Sequence, residues 1–127
     1  MAQKVKELRF SMPDKAGQLG AVTRVLGKAR VNILEIAAWT EGRKAMFRIA
    51  TNNNAKAKKA LRSIGVRAGE GEVLVVKLRN RPGALERIGR KLARAKISLH
   101  CITATTSGKT ATAVLSASNL SKAKRAV

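Results

Sequence analysis

Leu8, Phe10 and Met12 alternate with Arg9 and Ser11, the period of a strand with one buried face. The apolar run Val73 to Leu78 carries the same phase at Leu74, Val76 and Leu78. A short glycine-containing stretch follows each: Asp14 to Leu19 in the first case, Asn80 to Leu85 in the second. The pattern then changes period. Leu19, Val22, Leu26 and Ala29 recur at helical spacing, as do Leu85, Ile88, Leu92 and Ala95. Arg24 and Lys28, and Arg87, Arg90, Lys91 and Arg94, fall on the opposite side. Val31 to Trp39 and Ile97 to Thr105 are β-branched or apolar and read as strands. Glu41-Gly42-Arg43 and Ser107-Gly108-Lys109 read as hairpin turns, with return strands at Lys44 to Thr51 and Thr110 to Ala117. Asn52 to Asn54 and Ser118-Asn119 supply loop and N-cap residues for short helices, Ala55 to Ile64 and Ser121 onward.

The two halves are one unit written twice. Residues 8–61 align with 74–127 at a constant offset of 66, without a gap, and 16 of the 54 pairs are identical. Each unit reads β-α-β-β-α, and a fourth strand would complete a split β-α-β sandwich. Val66 to Glu72 can supply it for the first unit. In the second unit Val127 falls inside the last helix, so that sheet is expected to lack its last strand. It would then expose an edge suited to pairing with another chain. The expected fold is α+β: two tandem ferredoxin-like βαββαβ units, 1–70 and 71–127, with antiparallel sheets and helices on one face.

Charge is the outlying property. There are 27 Lys and Arg against 7 Asp and Glu, a net +20. Residues 1–66 hold 14 basic and 4 acidic residues and residues 67–127 hold 13 and 3, so each half is +10. An even excess on helix faces is first a solubilising surface, but it also attracts polyanions. Lys56, Lys58, Lys59, Arg90, Lys91 and Arg94 would carry such an interaction with nucleic acid. RNA-binding sheets of this shape stack bases on aromatics, and the central strands here offer Phe47 at best.

Catalytic chemistry is sparse. His100 is the one histidine, and the adjacent Cys101 would point to the opposite face of a strand. Neither has partners at metal-ligand spacing, so no metal and no cofactor are expected. No nucleophile elbow or P-loop is present, and the chain does not read as an enzyme. A single cysteine, no signal peptide and no apolar run of membrane length lead to the expectation of a soluble, cytoplasmic protein.

The loop Arg81-Pro82-Gly83-Ala84-Leu85 between strand and helix, with Ile97-Ser98-Leu99 opening the next strand, resembles the ACT domain, a small regulatory module that binds amino acids. The first unit is similar through Ala16-Gly17-Gln18-Leu19 and Val31-Asn32-Ile33, with Ala16 where the motif prefers proline. The resemblance implies a stand-alone regulatory protein, a homodimer or higher homo-oligomer. It would bind an amino acid or related metabolite where a first loop meets a neighbouring domain. The implied contacts are Asp14, Lys15, Ala16, Gly17, Gln18 and Leu19 with Asn32, and Asn80, Arg81, Pro82, Gly83, Ala84 and Leu85 with Ser98. The chemistry agrees. A glycine lets a ligand approach the backbone, and a helix start favours a carboxylate. The alternatives are a basic nucleic-acid or polyanion binder and an oligomerisation scaffold without ligand.

Overall fold

The computed structural model describes residues 2–127. Its elements are β1 (Ala2–Pro13), α1 (Gln18–Lys28), β2 (Ile33–Glu41), β3 (Lys44–Thr51) and α2 (Asn54–Arg62), then β4 (Gly69–Arg79), α3 (Ala84–Arg94), β5 (Leu99–Ser107), β6 (Thr110–Ala117) and α4 (Leu120–Ala126). The fold is α+β, and the second half repeats the first element by element, as the periodicity predicts. Among the described residues no helix is long and apolar enough to cross a membrane. The chain divides into two units. One is Lys6–Gly71; the other is Glu72–Val127 together with the described residues up to Val5.

In the Lys6–Gly71 unit the strands run β2-β3-β1, with the start of β4 beside β1. Strands β1 and β3 are antiparallel, with Leu8 opposite Ile49 and Phe10 opposite Phe47. This register puts all four side chains on one face, which α1 covers with Val22 and Leu26 and α2 with Ala57 and Leu61. Phe10 and Phe47 stack with centroids 5.0 Å apart. Burying each large apolar side chain is worth roughly 1.5–3 kcal/mol, so this layer dominates the unit's stability.

The other face of the same sheet carries charge. Glu7 is only 3% exposed. It accepts hydrogen bonds from Arg9 Nε at 2.9 Å and Arg48 Nε at 2.6 Å. Glu35 lies near this pair, and its pKa is raised above the ordinary carboxylate value by burial and by the charge of Glu7, with Arg48 opposing.

In the second unit the order is β5-β6-β4, and the start of β1 takes the place beside β4. Among the described residues no strand follows α4, and the edge of β4 expected to lie open is covered. The residues up to Val5 fill it. Ala2 packs on this unit's core, and Lys4 Nζ donates to Ser121 Oγ at 2.6 Å. The core is Leu74, Val76, Ile88, Leu92, Ile97, Ala113, Leu115 and Ala123.

Local signals are honoured at the element ends. Asn53 and Asn119 accept from the backbone N–H of Lys56 and Lys122, capping α2 and α4. Helices α1 and α3 end in paired bonds: Arg30 N to Gly27 O with Val31 N to Leu26 O, and Lys96 N to Ala93 O with Ile97 N to Leu92 O. This is the Schellman closure, which needs a left-handed residue after the helix. Arg30 (φ 58°) and Lys96 (φ 57°) occupy that position without being glycine. Leu19 and Leu85, assigned to the helical stripe by spacing, are 56% and 48% exposed. They stand in the first turn, beyond the reach of the sheet. His100 sits at a register shift between Leu99 and Cys101, so the simple alternation of faces assumed for these two neighbours fails there. Cys101 is half-buried, and no cluster that could hold a metal occurs among the described residues.

Candidate ligand loops

Both glycine loops turn the chain from a strand into a helix, and both do so through a left-handed N-cap residue: Gly17 at φ 92° and Gly83 at φ 86°. Glycine is the residue that tolerates this conformation, so the turn itself accounts for its presence. A Cβ at either position would meet nothing within 4 Å, so the space beside each backbone is open. Neither cap residue offers a side-chain acceptor to the helix. In α3 the first helical N–H is already engaged, Ala84 N donating to Arg81 O at 3.2 Å, and the other first-turn donors lie at the positive end of the helix dipole.

Each loop is tied to the hairpin turn of its own unit. Asp14 N donates to Arg43 O at 2.9 Å, and Asn80 N donates to Lys109 O at 2.9 Å. The Asn80 side chain donates through Nδ2 to Gly108 O at 3.0 Å, which occupies it structurally. Gly42 and Gly108 open those two-residue turns with φ 58° and 60°.

The loops differ in what surrounds them. In the second unit a cleft of about 470 Å³ is lined by Lys77, Leu78, Arg79, Arg81, Ala84 and Arg87. Lys77 Nζ donates to Thr112 Oγ1 at 3.0 Å. Arg79, Arg81 and Arg87 form no ion pair among the described residues. Glu86, the nearest acid in sequence, is turned to Arg90 at 3.6 Å. In the first unit the matching positions are Ser11, Met12, Pro13, Lys15, Gln18 and Ala21. There Gln18, 8% exposed, donates through Nε2 to Pro13 O at 2.6 Å. That bond spans the positions equivalent to Ala84 and Arg79.

Asn32 and Ser98 do not join the loops of their own units. Pro13 is paired with Lys44 at one end of β3, whereas Ile33 is paired with Thr51 at the other. Seven residues of strand separate the two ends, roughly 23 Å. Asn32 is tied there to Asn52, its N–H donating to Oδ1 at 2.9 Å. Ser98 repeats this with Ser118 Oγ at 3.2 Å. Asp14 through Leu19 and Asn80 through Leu85 are thus each one contiguous loop, at the opposite end of the sheet from the strand-opening residue of the same unit.

Sequence reasoning missed Lys77, Arg79 and Arg87 as loop neighbours. The signal was present: Lys77 and Arg79 share a strand face by alternation, and Arg87 lies one helical turn beyond Gly83. The basic residues considered for nucleic acid are partly engaged, Lys58 with Glu70 at 2.8 Å and Arg90 with Glu86. Phe47 is buried under the helices, away from the open sheet face.

A search of curated proteins finds none that matches the chain. Among solved structures, a protein from Bacteroides thetaiotaomicron is similar over 98% of this chain and 87% of its own, with a TM-score of 0.91 and 24% identity. The ligand-free regulatory subunit of aspartate kinase from Thermus thermophilus is similar over 95% of this chain and 89% of its own, with a TM-score of 0.71 and 16% identity. The corresponding subunit from Thermus flavus gives a TM-score of 0.65 at 16% identity, over 98% and 93%. At these identities the likeness is one of fold. By sequence, residues 6–66 match the ACT domain.

Proposed function

We propose that the chain is a tandem pair of ACT domains that binds a small metabolite, in the first instance an amino acid, at its glycine loops. It acts as a non-catalytic regulator through ligand-dependent association with itself or with a partner protein. The ACT match over residues 6–66 carries this reading. The repetition of every element of that segment in the second half extends it to the whole chain. A structural likeness to aspartate kinase regulatory subunits is in keeping with it. Open backbone beside Gly17 and Gly83, at helix starts that no side chain caps, offers a place for a carboxylate.

The test is thermal shift of the full chain against the twenty amino acids, with light scattering for each compound that stabilises. At least one is expected to raise the melting temperature and to change the molar mass in solution. Stabilisation by none of them at millimolar concentration would overturn the amino-acid reading. Stabilisation without a change in mass would overturn self-association as the output.

A further inference from the structure

The two loops are copies in backbone and opposites in electrostatics. The second-unit cleft has four cationic side chains on its lining and no carboxylate. The first unit keeps one cation, Lys15, at the six matching positions. Four like charges around one concavity repel one another, and little acid is at hand to offset them. A zwitterion meets this field with its ammonium as well as its carboxylate, so its net attraction is small. A ligand with two or more negative charges gains from every group. The cleft volume, about 470 Å³, lies within the range of small-molecule sites.

We propose that the second-unit cleft is selective for small polyanions, metabolites bearing a phosphate or several carboxylates, and that the first unit is not. The proposal rests on reading the glycine loops as ligand sites and names the ligand class of one of them. Arg81 and Arg87 act as forked donors from the loop and from α3. Arg79 and Lys77 supply charge from the end of β4, and Ala84 keeps the space open by its small side chain. The Gln18 amide occupies the equivalent space in the first unit.

The experiment is isothermal titration of the full chain at constant ionic strength, with pyrophosphate, citrate and glycine as separate probes. Pyrophosphate, citrate or both are expected to bind, with glycine at least about tenfold weaker. Binding of one polyanion alone identifies phosphate or carboxylate chemistry. The double variant Arg81→Ala/Arg87→Ala is expected to lose at least about tenfold in affinity. A charge-matched control on α3 outside the cleft, Lys91→Ala/Arg94→Ala, should retain it. Ala84→Gln, which carries the first unit's residue into the second, should abolish binding without changing net charge, and serves if the double variant does not fold.

Equal losses in the cleft and control variants would overturn the proposal in favour of a diffuse cationic surface. So would binding of neither polyanion, or binding of a single-stranded RNA oligonucleotide in their place. The amino-acid thermal shift is a separate readout. Its failure with polyanion binding intact removes amino acids as ligands and leaves this cleft standing, whereas failure of both removes the loops as sites.

Discussion

Gln18 donates its side-chain amide to the carbonyl of Pro13 at 2.6 Å, joining the first turn of α1 to the last residue of β1. Its repeat counterpart, Ala84, has no group with which to do so. Replacing Gln18 by alanine removes one neutral hydrogen bond from a nearly buried site. The expected cost is about 1 kcal/mol in urea unfolding. The variant should also bind pyrophosphate no better than the parent chain, since opening the space does not supply the missing cations. A gain in polyanion affinity would show that space, not charge, distinguishes the two loops.

Glu7 holds Arg9 and Arg48 on the sheet face away from the helices. Truncating it to alanine strands the Arg48 guanidinium, whose side chain is 13% exposed, without its nearest counterion. A loss of about 3 kcal/mol is expected, because an unpaired buried charge costs more than the pair contributes. Adding Arg48→Met to that variant should recover part of the loss. Chemical denaturation of the three proteins checks this; a double variant no better than the single would assign the loss to packing.

Glu35 gives a pH dependence of defined sign. Burial and the charge of Glu7 raise its pKa above 4.5, so the folded state holds its proton more tightly than the unfolded state does. The contribution of Glu35 to stability is therefore greatest below its unfolded pKa and is lost as pH rises through the folded pKa. Glu35→Gln is expected to be more stable than the parent chain at pH 7, with the difference shrinking towards pH 4.5. Denaturation midpoints across that interval measure it, and parallel curves for the two proteins would remove the argument.

Arg30 and Lys96 are the left-handed residues that close α1 and α3. The corresponding place after α2 is taken by Gly65 at φ 77°. A residue with a Cβ costs roughly 1 kcal/mol in this conformation, part of which glycine returns as lost entropy. Arg30→Gly and Lys96→Gly are each expected to raise stability by about 0.5 kcal/mol. Thermal melts at fixed salt check this. A loss in both would mean that the long side chains stabilise the helix ends by more than the backbone strain costs.

Most of the fold was legible because its determinants are local. Alternation at Leu8 to Met12, helical spacing at Val22 and Leu26, and the Asn53 cap each act within a few residues. The partner for β4 in the second unit was not legible. It comes from residues up to Val5, about seventy positions away along the chain, and no periodicity reports a pairing of that range. Leu19 and Leu85 were misplaced because spacing identifies a helix face and does not say where the sheet beneath it ends. The loops were legible as turns through Gly17 and Gly83. Their unequal charge could be read from Lys77, Arg79 and Arg87 against Ser11, Pro13 and Ala21, but that strand, loop and helix line one cleft shows only in the folded unit. Asn32 is implied by resemblance alone, and the β2–β3 register puts it at the other end of the sheet from the loop of its own unit.

The strand supplied by residues up to Val5 means that the segment that was duplicated and the segment that folds are different pieces of chain. A fragment cut at the repeat boundary would leave Glu72–Val127 with β4 paired to β6 on one side and open on the other, whereas Lys6–Gly71 would keep all of its strands. The second unit is also expected to close last. Its pairing with β1 must join ends separated by a whole repeat, so the loss of entropy on closure falls on that step. Pulse-labelling of amides during refolding should therefore protect the Lys6–Gly71 core before β4. A short extension or deletion at the amino terminus should be felt in the carboxy-terminal half of the molecule.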